Sequence, residues 1–404
     1  MRVFFYTLGC KSNQYETGRL REKFFALGFA PADKAADAAV IVINTCCVTH
    51  SAERKSRNIL RRFQKIYPRA KIFVCGCYAN IADLASIIPG VSPIKQEQKL
   101  KPQEWGLPGF SRAASGRNYR VREFLKIQEG CDRFCGYCIV PYARPQIYSE
   151  PPEKILATAE NLLRRGVQEI VLTGINLGLY NYTGQTLAAI LRQLARIKIP
   201  RLRLSSLEPD LLTDQLLETL AENPGIARHL HIPLQSGSDT ILKAMRRRYT
   251  AADYRRLIRR ARKMLGEDSG LTTDIIAGFP GETEKTFTET LEFIREIGFS
   301  DLHIFPYSRR PRTAAARLPI SCPVPLVKQF VSRLENLRQG LKQDFLKKHL
   351  FRPLAVLVEN NRGAGFSSEY IQVKLQDKSS AGKFYRVQAT AIQDDFILAK
   401  SAPE

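Results

Sequence analysis

From Val121 onward one pattern recurs six times: an apolar strand, then an amphipathic helix. The strands are FLKIQ (124–128), EIVLTG (169–174), RLRLSS (201–206), HLHIP (229–233), LTTDIIAG (271–278) and DLHIFPY (301–307). Helical periods between them cover 152–165, 186–197, 213–222, 251–265 and 282–297. Such repetition commits a chain to a parallel sheet, because each strand must return to the same edge through a crossover helix. Six units make a partial barrel, and its functional site belongs at the carboxyl ends of the strands. The first strand is followed at once by GCDRFCGYC, with cysteines at 131, 135 and 138.

The rest of the chain adds two different folds. Residues 1–98 alternate strands (2–8, 38–44, 70–76) with helices (16–27, 51–67), the pattern of an open α/β domain on a parallel sheet. Cys10, Cys46 and Cys77 each fall just after a strand, at the edge where open α/β sheets bind ligands. By sequence alone any three of Cys10, Cys46, Cys47, Cys75 and Cys77 could converge there. Residues 99–120 are rich in Pro, Gly, Ser and Arg without a period, which reads as a linker. The central domain, 121–350, ends in a long amphipathic helix over 322–350. Residues 351–404 hold four alternating segments, 353–360, 370–377, 383–390 and 396–401, which suggest a small barrel or sheet. The expected class is α/β: an open α/β domain, a partial (β/α)6 barrel and a small C-terminal β domain.

The spacing of Cys131, Cys135 and Cys138 lets three soft thiolates hold three corners of a four-iron four-sulfur cubane. The fourth iron, with no protein ligand, is open to the amino and carboxylate groups of S-adenosylmethionine, whose sulfonium it can reduce. A structural zinc knuckle needs a fourth nearby ligand. No Cys or His lies between Cys77 and Cys131 or between Cys138 and His229. His229 and His231 alternate on one strand and share a face. With His50 and His303 they read as packed or hydrogen-bonded side chains rather than metal ligands. Neither a serine–histidine–acid arrangement nor a GK(S/T) phosphate loop is present.

The blocks YTLGCKSNQYET, INTCCVTHSAERKSR, VCGCYAN, LKIQEGCDRFCGYCIVPYAR, EIVLTGINLG, RLRLSSLEP, HLHIPLQSGSDTILKAMRRRYT and TTDIIAGFPGETEKTF occur in order from Arg2 to Tyr307. They resemble the radical S-adenosylmethionine methylthiotransferases, and within that family the subgroup acting on N6-threonylcarbamoyladenosine in tRNA. The resemblance implies two four-iron four-sulfur clusters. One is held by Cys131, Cys135 and Cys138; the other, carrying the sulfur to be inserted, by Cys10, Cys46 and Cys77 in preference to Cys47 and Cys75. Cys47, Cys75 and Cys322 then read as small buried hydrophobes. It implies contacts to S-adenosylmethionine from Tyr137, Gly174, Ser206, Glu208, Gln235 and Gly278, the last five at strand ends. Further expected partners are the tRNA anticodon stem-loop and an electron donor such as a flavodoxin or ferredoxin, with the chain acting as a monomer. The C-terminal segment matches the place of the family's RNA-binding TRAM barrel. One departure is Pro145, where the family usually has Gly after the arginine. Arg144 itself is, by position, a candidate to complement the carboxylate of the modified base.

Charge bears on the partner. The net charge of +23 is spread unevenly. Residues 1–100 carry 16 Lys/Arg against 7 Asp/Glu, residues 101–350 carry 39 against 26, and residues 351–404 only 7 against 6. The basic runs at 55–65, 245–249, 254–263 and 308–312 suit phosphate binding. They favour tRNA over an acidic target, although isopentenyladenosine in tRNA and an aspartate of a ribosomal protein remain alternative substrates. A non-enzymatic RNA-binding iron–sulfur scaffold would fit the charge, but it needs no cysteine trio after strand one and no glycines ending strands two and five. No apolar run reaches the ~18–20 residues of a membrane span. MRVFFYTLG lacks a signal-peptide pattern, and nine cysteines without one point to a reducing, cytoplasmic setting.

Overall fold

The computed structural model describes residues 1–107 and 120–402. These divide into two compact units, one made of residues 1–107, Glu129–Ile147 and Ser308–Ala316, the other of residues 120–128, Tyr148–Tyr307 and 317–402. Among the described residues no helix is long and apolar enough to cross a membrane.

The first unit is built on a five-stranded parallel sheet. Its strands are β1 (Arg2–Thr7), β2 (Ala30–Pro31), β3 (Val40–Thr45), β4 (Lys71–Gly76) and β5 (Val91–Pro93), in the order β2-β1-β3-β4-β5. Every residue of β3 is buried, as a central strand covered on both faces must be. Val40 and Val42 join Phe24, Phe73 and Trp105 on one face. Ile41 and Ile43 join Leu60, Phe63 and Val74 on the other. Helix α1 spans Lys11–Ala26, starting five residues before the expected 16. That first turn lacks an apolar pattern because its polar side chains serve the sheet: Asn13 donates to Leu8 O at 2.8 Å and Thr45 O at 3.0 Å. Helix α2, His50–Ile66, is capped by Thr49, which accepts from Ala52 N. Residues 99–107 of the stretch read as a linker pack into this unit. Lys99 is buried against Glu16, and Trp105 sits between Phe24 and Phe73. The remainder of that reading, 108–119, lies outside the described residues.

The second unit holds six parallel strands in chain order: β6 (Arg122–Lys126), β7 (Glu169–Thr173), β8 (Arg201–Leu204), β9 (His229–His231), β10 (Gly270–Ala277) and β11 (Asp301–Pro306). They form two triplets, joined by a bridge of Leu202 with Ile226 and by Leu207 N donating to His231 O at 3.0 Å. This is the expected partial (β/α)6 barrel, with helices α3 (Pro152–Arg164), α4 (Leu187–Ala195), α5 (Asp214–Glu222), α6 (Ala251–Leu265) and α7 (Glu284–Ile297) at the predicted places. A short helix, Asp239–Ala244, was not signalled by periodicity. Helix α8, Val324–Lys348, leads to a closed barrel of β12 (Pro353–Val358), β13 (Ala364–Ser367), β14 (Gln372–Leu375), β15 (Phe384–Gln393) and β16 (Phe396–Ser401). The small barrel plugs the amino ends of β7, β8 and β10. Arg201 donates to Phe366 O, and Arg203 to Ser367 O and Ser368 O. Glu169 pairs with both arginines. At Gly270 a side-chain carbon would lie 2.1 Å from Glu369 O, so only glycine allows this approach.

Candidate functional site

Strands β1, β3 and β4 are neighbours, about 4.8 Å apart, and each delivers one of the expected cysteines at its carboxyl end. Cys10 precedes α1 as its N-cap, Cys46 follows β3 directly, and Cys77 opens a short helix, Cys77–Ile81. Gly76 makes the last turn possible: its φ is +94°, and a side-chain carbon would sit 2.3 Å from Thr45 O. A side-chain carbon on Gly9 would lie 3.2 Å from Cys46 Sγ, so the Cys10 loop closes onto Cys46. The Cys47 thiol donates to Cys77. That bond, aided by the Arg144 guanidinium, outweighs burial and holds the Cys77 thiol below its ordinary value. Burial pushes Cys46 and Cys75 up to about 11. Cys75 packs with Val42 and Phe73, on the face away from Cys77. Cys322 belongs to the other unit and donates to Glu282 O.

Arg144 has a different role from the one its position suggested. It is buried and its donors are consumed: Nη1 meets Glu16 Oε1 at 2.6 Å and Glu129 at 2.8 and 3.0 Å. Nη2 meets Asn13 Oδ1 at 2.7 Å and Glu16 Oε2 at 3.0 Å, and Nε meets Cys77 Sγ at 3.2 Å. A guanidinium so engaged has no fork left for a substrate carboxylate. It ties the segment after the CxxxCxxC loop to Cys77. Glu16, Glu129, Asn13 and Lys99 carried no sequence signal for this network, since polar residues scattered over 130 positions have no common period. Pro145 is exposed, and Arg144 retains its own backbone bond to Val140 O at 2.8 Å.

Cys131, Cys135 and Cys138 lie half-buried on one irregular loop, as does Tyr137. Cys138 N bonds to Cys135 O at 3.0 Å, and Gly136 O accepts from Ala315 N at 2.7 Å. Phe134 adopts φ +47° and packs edge-on against Tyr142. At Gly130 a side-chain carbon would meet Gln146 O at 2.0 Å, so the loop's two stems touch backbone to backbone.

The strand-end residues of the second unit differ in availability. Gly174 is required by packing, because a side-chain carbon would lie 2.9 Å from Gln128 Oε1, which accepts from Asn176 N. Ser206 is exposed. Glu208 is paired with Arg247, whose Nε also donates to the Tyr249 hydroxyl at 3.0 Å. Gln235 holds φ +71° and bridges to Ile275. Ser236 is buried against Thr290. Gly278 has φ +79° and Gly281 φ +92°, and Gly278 N donates to Glu282. Burial pushes the Glu282 carboxyl up to about 7.

Of the basic runs, α6 is largely neutralised: Arg255 and Arg259 meet Glu296, Arg256 meets Asp253, and Arg260 meets Asp214. Arg247 and Arg310 are held by Glu208 and Glu53. On α2, by contrast, Arg54, Lys55, Arg61, Arg62 and Lys65 are exposed without an acidic partner among the described residues.

A profile of the Radical SAM superfamily matches residues 125–294, and one of the uncharacterised protein family UPF0004 matches residues 2–89. The threonylcarbamoyladenosine tRNA methylthiotransferase MtaB of Bacillus subtilis is 36% identical over 96% of this chain and 93% of its own. That of Aquifex aeolicus is 36% identical over 96% of this chain and 100% of its own. A tRNA-2-methylthio-N(6)-dimethylallyladenosine synthase of Cereibacter sphaeroides is 34% identical over 96% of both. The chain belongs to the radical S-adenosylmethionine methylthiotransferase family. Among solved structures, the radical S-adenosylmethionine methyltransferase TsrM of Kitasatospora setae superposes with a TM-score of 0.54 at 15% identity, over 78% of this chain and 74% of its own, a likeness of fold.

Membership of the radical S-adenosylmethionine superfamily implies a four-iron four-sulfur cluster and S-adenosylmethionine. The donor set fits that requirement. Three thiols lie within one half-exposed loop, with no imidazole among residues 131–138 to complete a zinc site.

Proposed function

We propose that this chain converts N6-threonylcarbamoyladenosine in tRNA to its 2-methylthio derivative. The observation that carries the reading is near-complete coverage by relatives named for that activity, at 30–36% identity in four cases. In this reading Cys131, Cys135 and Cys138 hold the cluster that engages S-adenosylmethionine, and Cys10, Cys46 and Cys77 hold a second one. When bound, the two clusters would supply reduction of the sulfonium and the sulfur to be inserted. The domains divide the work: residues 1–98 present the second cluster, 121–350 the first cluster and S-adenosylmethionine, and 351–404 the small barrel. Gly174, Ser206, Glu208, Gln235 and Gly278, at strand ends of the second unit, line the S-adenosylmethionine site.

The chain's own residues prepare these sites before any cofactor arrives. Cys47 and Arg144 stabilise a thiolate at Cys77, the form that binds metal. The core around Ile41, Ile43 and Tyr78 keeps water from that side of the sheet edge. The unpaired cations of α2 offer phosphates a face whose affinity falls with salt. An outside reductant, such as a flavodoxin or ferredoxin, completes the set, and the enzyme acts as a monomer in the cytoplasm.

The synthase relatives at 34% identity favour one second reading, in which the base carries a dimethylallyl group. Mass spectrometry of tRNA nucleosides from a strain lacking this gene separates the two. Loss of 2-methylthio-N6-threonylcarbamoyladenosine, with the dimethylallyl derivative intact, is expected. The reverse pattern refutes the proposal.

A further inference from the structure

We propose that His231, Asp274 and His303 form a binding site for one divalent transition-metal cation, separate from the cysteine sites. The three lie on adjacent strands β9, β10 and β11, where His231 registers with Thr272 and Asp274 with His303. Alternation sends Leu271, Thr273 and Ile275 into the helix-covered core and turns Thr272 and Asp274 to the opposite, concave face.

The geometry is close to a coordination polyhedron. Asp274 Oδ1 lies 3.2 Å from His231 Nε2 and 3.2 Å from His303 Nδ1. All three donor atoms fall within 4.8 Å of one another, and the two imidazoles stack at 5.1 Å. Metal–ligand bonds of about 2.0–2.1 Å place tetrahedral donor atoms about 3.3 Å apart. Two edges therefore already have the right length, and the third closes by a small turn of the exposed His303. Two imidazoles and a carboxylate, with remaining positions open, suit zinc, manganese or ferrous iron.

A neighbouring hydroxyl makes the site convertible. Thr272 Oγ1 lies 2.9 Å from His231 Nδ1 and 3.0 Å from His229 Nε2. Without metal, His231 Nε2–H donates to Asp274, and Thr272 donates to His231 Nδ1. With metal, His231 carries its proton on Nδ1, donates to Thr272, and the threonine donates to His229. Both wirings keep the Thr272 hydroxyl bonded to both imidazoles, and the second is the outer-shell arrangement that orients a metal-bound imidazole. His303 bears its other nitrogen proton toward solvent. Exposure rises from His231 through Asp274 to His303, which supplies an entry path.

The test uses reconstituted enzyme with its clusters in the oxidised, EPR-silent state, titrated with manganese(II) alone. Manganese prefers nitrogen and oxygen donors to thiolates, so cysteines do not compete. The free-ion EPR signal should show one site per chain. Asp274→Asn and His303→Ala should abolish it with cluster iron unchanged. Thr272→Val should weaken it by about 10- to 100-fold. His303 is solvent-exposed, so its replacement leaves the fold intact. Binding that persists in His303→Ala, or none in the wild type up to about 1 mM, a free energy near −4 kcal/mol, overturns the site. Neither outcome touches the tRNA substrate, which the nucleoside assay decides alone.

Discussion

Replacing Arg144 with methionine keeps the side chain's bulk and removes its charge. The guanidinium now faces two buried carboxylates, Glu16 and Glu129, through five hydrogen bonds to their oxygens and Asn13, and a sixth to Cys77. Lys99 still partners Glu16 in the variant, but Glu129, 8% exposed, loses its main cationic partner. Breaking a buried pair by removing one member costs about 3–5 kcal/mol. With a urea dependence of about 2 kcal/mol/M, the unfolding midpoint should fall by about 1.5–2.5 M. The assay is built into the chain, because its single tryptophan, Trp105, is buried against Phe24 and Phe73 in the same unit. Urea titration of reduced, cluster-free protein, followed by Trp105 fluorescence, reads that unit alone. Arg144→Lys keeps the charge but not the fork, and should fall between the two. A midpoint shift under about 0.3 M in Arg144→Met would refute the view that this network holds the Cys77 edge together.

Alanine at Cys131, Cys135 and Cys138 together should leave about half the iron of the reconstituted wild type, since the other three thiols sit on a separate sheet edge; complete loss would end the two-cluster reading. Glu282, pushed up to about 7 from an ordinary 4.5, binds its proton more tightly folded than unfolded. The stability it confers is full below 4.5 and is lost as pH rises through 7, on the order of 3 kcal/mol in all. Glu282→Gln should therefore flatten the decline of urea stability between roughly pH 5 and 8, and an unchanged slope would exclude this carboxyl as its source. Arg203→Met removes a donor to two carbonyls and the partner of the Tyr370 ring, and should make the segment after Lys348 cleavable by limited proteolysis while the wild type resists. Charge reversal at Arg61 and Arg62 of α2 should weaken tRNA binding and lower its salt dependence by about one unit of slope per neutralised contact; reversal at Arg256 and Arg260, already paired with acids, should do less.

The closed C-terminal barrel changes how the chain's charge is read. Its Ser367–Tyr370 turn seals the amino ends of β7 and β8 through Arg201, Arg203 and Glu169, which leaves those arginines to structure rather than phosphate. Several basic residues counted toward RNA binding are likewise spent on acids within the fold. Arg54, Lys55, Arg61, Arg62 and Lys65 of α2, in the first unit, remain without an acidic partner among the described residues.

The strand–helix period determined by itself that the chain folds as an α/β protein with an open N-terminal sheet, a six-unit partial barrel and a small β domain, because alternating burial is a local property of each segment. That Cys131, Cys135 and Cys138 share one loop was legible for the same reason, since residues so close in sequence need no long-range contact to meet. Periodicity missed the first turn of α1, where Asn13 is buried to satisfy Leu8 O and Thr45 O rather than to pack. It also missed β13, whose Gly365 lies against the Leu357 backbone and has no apolar face to display. Only the tertiary structure decided that Arg144 serves Glu16, Glu129 and Cys77 instead of a ligand, and that His231 and His303 share Asp274. Those groups lie up to 128 residues apart in the chain, and their partnership arises from strand order and register, which no window of sequence contains.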